Sequence, residues 1–254
     1  MSSVCSSSLD RSYSRDAPWR DPGLPRKKDE RQYLGEMGTD VVSIKNRKEL
    51  AMSKQTGVWK AEDAALILID YQKEMFENVR SETTPDQIDL NVRFLIRTAK
   101  AFNIPVVLST VGVQMGVNGP TRTSITAELP GLEPIDRTSM DAWEDKAFRA
   151  AVEKTGKKRL IFGALYTEIC LAFPIVDAMR DGYETMFVVD AVGGMSQLAH
   201  RTAIERLTAA GATPNTSIAL VTELFRDWKS PLADKARTLF KWYTPELQKL
   251  AGRK

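Results

Sequence analysis

Three polar residues, Asp70, Arg137 and Cys170, stand where short apolar segments of the 254-residue sequence end. Asp70 closes AALILID, Arg137 follows the short segment at Ile135, and Cys170 comes just after IFGAL. In open parallel sheets, ligands bind beyond the carboxyl ends of the strands, so these three side chains are candidates for one site. A thiol, a carboxylate and a guanidinium can serve there as nucleophile, base and electrostatic partner. The combination predicts covalent attack by Cys170 on a small-molecule substrate.

Each of the three residues also has a purely structural interpretation. Cys170, with apolar neighbours in FGALYTEICLAF, could be a small buried residue on a helix. Asp70 could cap the following turn, and Arg137 could be a surface cation. Against the structural interpretation of Cys170 stands its position in the first turn of a helix, where backbone N–H groups favour an anion and lower the pKa of a thiol. From the residues alone, both interpretations remain open.

The segments that carry these residues alternate apolar runs with helical periodicity, which is typical of βαβ units. The pattern predicts one three-layer α/β/α domain with a mostly parallel sheet of about six strands. Without a G-x-G-x-x-G sequence after the first strand, a dinucleotide site is not supported. Strands are expected at 64–70, 104–110, near 135, at 159–165, 184–192 and 213–217. Helices are expected at 86–102, before Gly156, at 167–179, 196–211, around 220–225 and at 231–250. A long loop is expected at 111–136. The last helix could pack across the domain or against a neighbouring subunit.

Residues 1–51 differ from the rest of the chain in composition. They are rich in Ser, Arg, Asp and Pro and show no period that would build a core, so we expect a disordered N-terminal extension. No continuous apolar stretch of the secretory kind occurs in them, and Met52 could be the natural start. Residues 52–254 are then expected to form the domain with its C-terminal helical tail.

Composition excludes several classes of protein. The 36 basic and 33 acidic residues nearly balance, and the basic clusters are short, so no nucleic-acid partner is expected. Two cysteines and one histidine argue against a disulfide framework and against a metal centre, and they favour a reducing, cytoplasmic location. We expect no cofactor. No apolar run reaches the roughly 20 residues that span a bilayer, so no membrane association is expected.

The sequence also resembles a known family along residues 60–228. The matching segments are ILIDYQKEMF, GVNGP, IDRTSMDAWED, GKKRLIFGALYTEICLAFPIVDAMRDGYE, VVDAVGG and ELFRDW. They resemble the isochorismatase-like cysteine hydrolases, and among these the YcaC-like branch. The resemblance implies a Rossmann-like α/β/α fold, an Asp-Lys-Cys triad, a homo-oligomer and hydrolysis of a small molecule.

Carried over residue by residue, the resemblance makes Cys170 the nucleophile and Asp70 the group that deprotonates it. Arg137 stands nearest to the position of the family lysine, which is a departure because arginine supplies charge but does not release its proton. The resemblance also implies a cis peptide bond at Leu165–Tyr166, which would turn the Tyr166 N–H toward the substrate. The N–H groups of Tyr166 and Cys170 would then form an oxyanion hole.

Four further residues lie on segments near the expected mouth of the site and are candidate substrate-binding residues: Gln72, Phe76, Asn118 and Phe173. The single histidine, His200, lies on an amphipathic segment and is expected to be structural, which excludes the histidine-rich metal site of nicotinamidases. Interface anchors could be provided by Trp59, Trp143, Trp228 and Trp242.

Three functions remain open from the sequence. The first is metal-independent hydrolysis of a C–N, amide-type bond through a thioester on Cys170. The second is vinyl-ether hydrolysis of the isochorismatase type, although true isochorismatases commonly lack the nucleophilic cysteine. The third is a degenerate member kept for assembly or ligand binding, an interpretation that Arg137 motivates.

Overall fold

A parallel sheet of six strands lies at the centre of the computed structural model, which describes residues 57–252. The strands are β1 (Ala64–Ile69), β2 (Val106–Val111), β3 (Ile135–Arg137), β4 (Arg159–Ala164), β5 (Glu184–Val188) and β6 (Thr213–Asn215). Their order across the sheet is β3-β2-β1-β4-β5-β6, and each neighbouring pair is parallel. Two of the six-residue strands, β1 and β4, are buried along their whole length, as expected for a parallel sheet that is covered on both faces.

Helices cover both faces of the sheet. They are α1 (Lys73–Glu77), α2 (Pro85–Phe102), α3 (Thr123–Thr126), α4 (Lys146–Lys154), α5 (Ala172–Arg180), α6 (Gln197–Ala210), α7 (Ser217–Phe225) and α8 (Ala233–Ala251). A single π-helical turn, Thr167–Leu171, joins β4 to α5. The predicted three-layer α/β/α domain with a six-strand parallel sheet is confirmed.

The period of two along β1 divides the core into two layers. Leu66 and Leu68 belong to the cluster that α2, α7 and α8 cover, whereas Ile67 and Ile69 belong to the cluster on the opposite face, under α4 and α5. Each of these four side chains is at least 98% buried. At about 1.5–3 kcal/mol for each large apolar side chain, this burial fixes which way the strand faces, since a slip by one residue would exchange the two layers.

Local signals define the ends of the long helices. Thr84 caps α2 by accepting a hydrogen bond from the Gln87 N–H, and Asn103 ends it in the left-handed conformation at φ +59°. Ser196 caps α6 in the same way, and Gly211 ends it at φ +99°. The helix predicted at 196–211 therefore has its expected limits.

Other boundaries differ from the sequence prediction. β5 ends at Val188 rather than near 192, because Val189–Ala191 turn into a 3₁₀ segment whose Asp190 carboxylate binds the N–H and hydroxyl of Ser217. The expected long loop contains the short helix α3. The predicted extension, residues 1–51, lies outside the described residues.

The C-terminal helix α8 packs across the domain, which is one of the two arrangements that the sequence left open. The Tyr243 ring stacks on Phe94 of α2 at 4.1 Å between centroids, and its hydroxyl donates a hydrogen bond to Asn91 Oδ1 at 2.6 Å. Arg97 lies over the Trp242 ring at 3.8 Å. Within residues 57–252, no helix has both the length and the apolar character that crossing a membrane requires.

Candidate active site

The site lies where the strand order reverses. β1 and β4 are neighbours at the centre of the sheet, and the connections from them run to opposite sides, which is the point where open α/β sheets bind ligands. Ile69 pairs with Ala164, so the two strands end side by side. Asp70 follows the first strand and the turn with Cys170 follows the second.

Asp70 is fully buried and has a backbone conformation that is uncommon for a residue other than glycine. Its φ is +59°, in the left-handed region that aspartate visits more readily than most residues. Its N–H still donates to the Ser109 carbonyl at 3.0 Å, so the sheet continues through the residue. A left-handed conformation at a non-glycine residue costs about 1–3 kcal/mol and clusters at functional sites.

Arg137 is buried beside Asp70, so the interpretation of Arg137 as a surface cation is wrong. Only 2% of Arg137 is exposed, and its Nη1 and Nη2 atoms each lie 2.7 Å from one oxygen of the Asp70 carboxylate. Nη1 also lies 3.1 Å from Ser109 Oγ and from the Thr110 carbonyl oxygen. The guanidinium therefore holds both carboxylate oxygens in a bidentate pair.

β3 places Arg137 there although it has only three residues. Its pairing with β2 sets Val111 opposite Arg137, and the neighbouring Asp136 accepts hydrogen bonds from the N–H groups of Val113 and Gln114. These bonds attach the loop after β2 to the end of β3. Both side chains of the ion pair are fully buried.

Cys170 is a free thiol inside the π-helical turn and is 5% exposed. Its thiol donates a hydrogen bond to the Asp70 carboxylate, and the Tyr166 N–H points at its sulfur. Burial first, and the Asp70 carboxylate second, raise the pKa of the thiol far above its ordinary value, although Arg137 and the Tyr166 N–H act to lower it. The expectation of a lowered thiol pKa is therefore wrong for the free protein, because burial and Asp70 outweigh the turn.

The turn that carries Cys170 is held by the loop after β5. The Thr167 N–H donates to the Gly193 carbonyl at 3.0 Å, and Glu168 Oε1 accepts a hydrogen bond from the Met195 N–H at 2.9 Å. The Leu165–Tyr166 peptide bond that precedes the turn is cis, at the position that the family resemblance implied. A π-helical turn inside a helix is rare and occurs mostly at functional sites.

His200 contacts the same turn and not the thiol. It is 3% exposed, its Nδ1 lies 2.8 Å from Thr167 Oγ1, and its Nε2 lies 3.8 Å from Glu82 Oε2. Burial lowers the pKa of this imidazole. These contacts give the histidine the structural position that the sequence predicted. Within residues 57–252, no three side chains of His, Cys, Asp or Glu come together in a way that could hold a metal ion.

Of the four candidate substrate-binding residues, Gln72 has its side-chain amide committed to the main chain. Its amide nitrogen donates to the carbonyls of Val111 and Gly119, and its amide oxygen accepts from the Val111 N–H. Asn118 also donates to the Val111 carbonyl, at 3.0 Å. Both side chains therefore hold the loop that follows β2.

The two aromatic candidates line separate cavities. Phe76 is buried under Arg122 and lines a cavity of roughly 590 Å³ beside α1, whereas Phe173 lines one of roughly 520 Å³ together with Asp141 and Arg206. The side chain of Tyr166 reaches Asn78 with its hydroxyl. The structure thus brings Asp70, Arg137, Cys170 and the Tyr166 N–H together, but it does not bring the four pocket candidates into one group.

Four residues that support the site were not among the sequence predictions. Ser109 and Thr110 hold Arg137, while Thr167 and Gly193 hold the cysteine turn. The polar pair Ser109-Thr110 at the end of an apolar strand was a signal of the same kind as Asp70. Of the tryptophans considered as interface anchors, Trp59 and Trp143 are buried within the subunit, whereas Trp228 is 55% exposed.

Comparison with known proteins places this site in a family. Residues 64–219 match the isochorismatase domain family. The probable hydrolase YcaC of Escherichia coli is 36% identical over 189 residues, which cover 74% of this chain and 89% of that protein. Its crystal structure, described as an octameric hydrolase of unknown specificity, has a TM-score of 0.71 at 35% identity and covers 79% of this chain and 98% of that one. YcaC from Pseudomonas aeruginosa, solved with hexane-2,5-diol and covalent acrylamide, has a TM-score of 0.70 at 30% identity, over 78% of this chain and all of that one. The chain is a hydrolase that belongs to the isochorismatase family, in the branch of the YcaC hydrolases.

Proposed function

We propose that the protein is a metal-independent cysteine hydrolase that cleaves the C–N bond of a small amide through a thioester on Cys170. The observation that carries this proposal is the thiol of Cys170 bonded to Asp70, which Arg137 in turn holds by both oxygens. A nucleophile within hydrogen-bond reach of its base, with the base oriented by a third group, is the arrangement that nucleophilic catalysis requires.

Because the pKa of the thiol is raised, attack on the substrate and transfer of the thiol proton occur together in the first step. Cys170 attacks the amide carbon while its proton passes to Asp70, so that a free thiolate need not form in the buried site. The oxygen of the tetrahedral intermediate accepts hydrogen bonds from the N–H groups of Tyr166 and Cys170. Asp70 then returns the proton to the leaving nitrogen, and the thioester remains.

Hydrolysis of the thioester repeats the steps in reverse order. Asp70 takes a proton from water as the water oxygen attacks the acyl carbon, and the sulfur leaves and regains the proton. Arg137 keeps its proton throughout, because the guanidinium cation does not release a proton near neutral pH, and it serves by orienting Asp70 and by its charge. The departure from lysine at this position is therefore compatible with turnover.

Two further observations support the proposal. The relative from Pseudomonas aeruginosa carries covalent acrylamide, a small amide with an electrophilic carbon. The buried ion pair here is bidentate and fully hydrogen-bonded at the carboxylate, which is not expected of a site that has decayed.

We also propose a homo-oligomer, since the YcaC of Escherichia coli is octameric and Trp228 is exposed on this chain. The free thiol that the mechanism needs fits a reducing compartment such as the cytoplasm.

The test compares the wild type with Cys170→Ala and with the control Cys5→Ala. Ammonia release from a panel of small primary amides should fall at least about 1,000-fold in Cys170→Ala and stay unchanged in Cys5→Ala, because only the first variant removes the nucleophile. Mass spectrometry of acid-quenched reactions should show an acyl group on the peptide that contains Cys170. Equal melting temperatures would show that both variants fold.

Retained amide turnover in Cys170→Ala would overturn the thioester mechanism. Cleavage of isochorismate without amide turnover would instead favour vinyl-ether hydrolysis. If the wild type is inactive and Arg137→Lys creates activity, the site is degenerate.

A further inference from the structure

Arg137 uses only part of its hydrogen-bonding capacity within the protein. A guanidinium carries five N–H donors in one plane. Two of them bind the Asp70 carboxylate, and the second hydrogen of Nη1 faces Ser109 Oγ and the Thr110 carbonyl. Among residues 57–252, Nε has no hydrogen-bond partner, and Nη2 donates one hydrogen bond, to Asp70.

The two remaining donors, on Nε and Nη2, lie in the guanidinium plane and point in the same direction, away from one edge of the group. We call it the Nε–Nη2 edge. Its two parallel N–H groups match the spacing of the oxygens of a carboxylate, which arginine binds in this bidentate way. Because Arg137 is 98% buried, leaving a charged donor without an acceptor there is unfavourable, so the edge is suited to a ligand oxygen.

The edge is close to the nucleophile. The Cys170 thiol donates to Asp70, and Arg137 holds both oxygens of that same carboxylate, so one side chain separates the sulfur from the guanidinium. The charge of Cys170 also acts on Arg137, so the nucleophile and the guanidinium belong to the same site. Asp141 is another carboxylate whose charge acts on Arg137, but its Oδ1 is bonded to the Trp143 N–H.

We propose that the Nε–Nη2 edge of Arg137 binds a carboxylate of the substrate, and that the preferred substrates are small amides with a carboxylate one or two carbons from the scissile carbonyl. This inference rests on the proposed function and names its substrate class. A lysine at this position would supply charge without the paired donors, so arginine gives the chain a preference that lysine could not.

The test uses two alkylating reagents of nearly equal size, iodoacetate and iodoacetamide, which differ in whether a carboxylate stands one carbon from the reacting sulfur. Rates of Cys170 modification are measured in the Cys5→Ala background by mass spectrometry, with glutathione as the reference for the intrinsic ratio of the two reagents. The ratio of iodoacetate to iodoacetamide at Cys170 should exceed that of glutathione at least about tenfold, the effect of roughly one good charged contact.

Two variants assign this preference to the edge. Arg137→Lys keeps the charge but removes the paired donors, so its ratio should return toward that of glutathione. Arg237→Lys makes the same substitution at an exposed arginine of α8 that pairs with Asp234, so its ratio should match the wild type. If Arg137→Lys does not fold, protection of wild-type Cys170 by malonate, with malonamide as the neutral control, gives the same comparison.

The outcomes separate this inference from the proposed function. A ratio equal to that of glutathione, or one that Arg137→Lys leaves unchanged, overturns the role of the edge, whereas hydrolysis of neutral amides through Cys170 would leave the proposed function standing. If neither reagent modifies Cys170 in the folded protein, both proposals fail, because the thiol is then closed to small molecules.

Discussion

The chemistry of Cys170 is decided by a competition between two effects on one thiol. The end of a helix stabilises a nearby anion by about 0.3–1 kcal/mol, rarely more than about 2. Removing an ionised group from water costs several kcal/mol unless it is paired, and the carboxylate of Asp70 beside the thiol also disfavours its anion. Burial and the like charge therefore prevail, and the thiol is neutral until a substrate arrives. The protein can keep a nucleophile that is inert to random oxidation and is activated during attack.

This balance predicts the pH dependence of Cys170 alkylation. In the Cys5→Ala background, the rate with iodoacetamide should still be rising at pH 9, because the raised pKa keeps the thiolate fraction small at neutral pH. Asp70→Asn should shift the profile to lower pH, since it removes the carboxylate that raises the pKa. Glutathione under the same conditions serves as the control, and a plateau below pH 8 in the wild type would contradict this account.

At the scale of elements, the loop after β5, which holds the cysteine turn, packs closely against its neighbours at two glycines. At Gly193, a Cβ atom would lie 2.8 Å from the side chains of Ile88 and Val79. At Gly194, it would lie 2.7 Å from Glu168 Oε2 and 3.1 Å from the Cα of His200, which is backbone and cannot easily move. At Gly194, the loop can approach Glu168 of the turn this closely only without a side chain, and at Gly193 the same holds for its approach to Ile88 and Val79. Its sequence, VVDAVGG, thus has a packing reason for both glycines.

Gly194→Ala is therefore expected to displace the turn that presents Cys170. Overpacking of this kind costs about 1–3 kcal/mol, and a domain of this size loses about 2–4 °C of melting temperature for each kcal/mol. Gly57→Ala is the matched control, because a Cβ atom there meets nothing within 4 Å. Thermal melts and iodoacetamide rates at Cys170 measure the two effects, and a Gly194→Ala protein that behaves like Gly57→Ala would show that the close approach has no importance.

The strands and two of the site residues could be predicted from local sequence patterns, whereas the position of Arg137 and the role of Gln72 could not. Apolar runs reveal buried strands, and a polar residue at the end of such a run is conspicuous, so Asp70 and Cys170 were found from the chain alone. The position of Arg137 depends on a three-residue strand, on its pairing with β2 and on its ion pair with Asp70, which are contacts between distant segments. The role of Gln72 likewise depends on the path of the 111–119 loop. Neither the pattern nor the spacing of residues carries that information.

At the scale of the whole molecule, the order of the strands brings the residues of the site together. The reversal between β1 and β4 sets Asp70 beside the cysteine turn at the centre of the sheet, where helices on both faces exclude water. α8 adds to one of these faces by stacking Tyr243 on Phe94. The site therefore lies between the two core layers, and the donors of Arg137 without a partner are the groups that we propose to meet the substrate.

The buried His200 makes the stability of the whole molecule depend on pH in a predictable direction. Its pKa is lowered below the ordinary 6.5, by burial first, although Glu82 and Glu168 act to raise it and Arg201 lowers it further. As the pH falls below about 6.5, the unfolded chain binds a proton before the folded one does, so stability present above that pH is lost toward the lower folded value. One such group contributes at most about 1.4 kcal/mol per pH unit.

Urea denaturation at pH 7.5 and 5.5 should thus show a smaller unfolding free energy at the lower pH. His200→Asn, which can keep a hydrogen bond to Thr167, should show a weaker pH dependence of that free energy. An unchanged pH dependence in that variant would mean that other groups, such as carboxylates, control stability in this range.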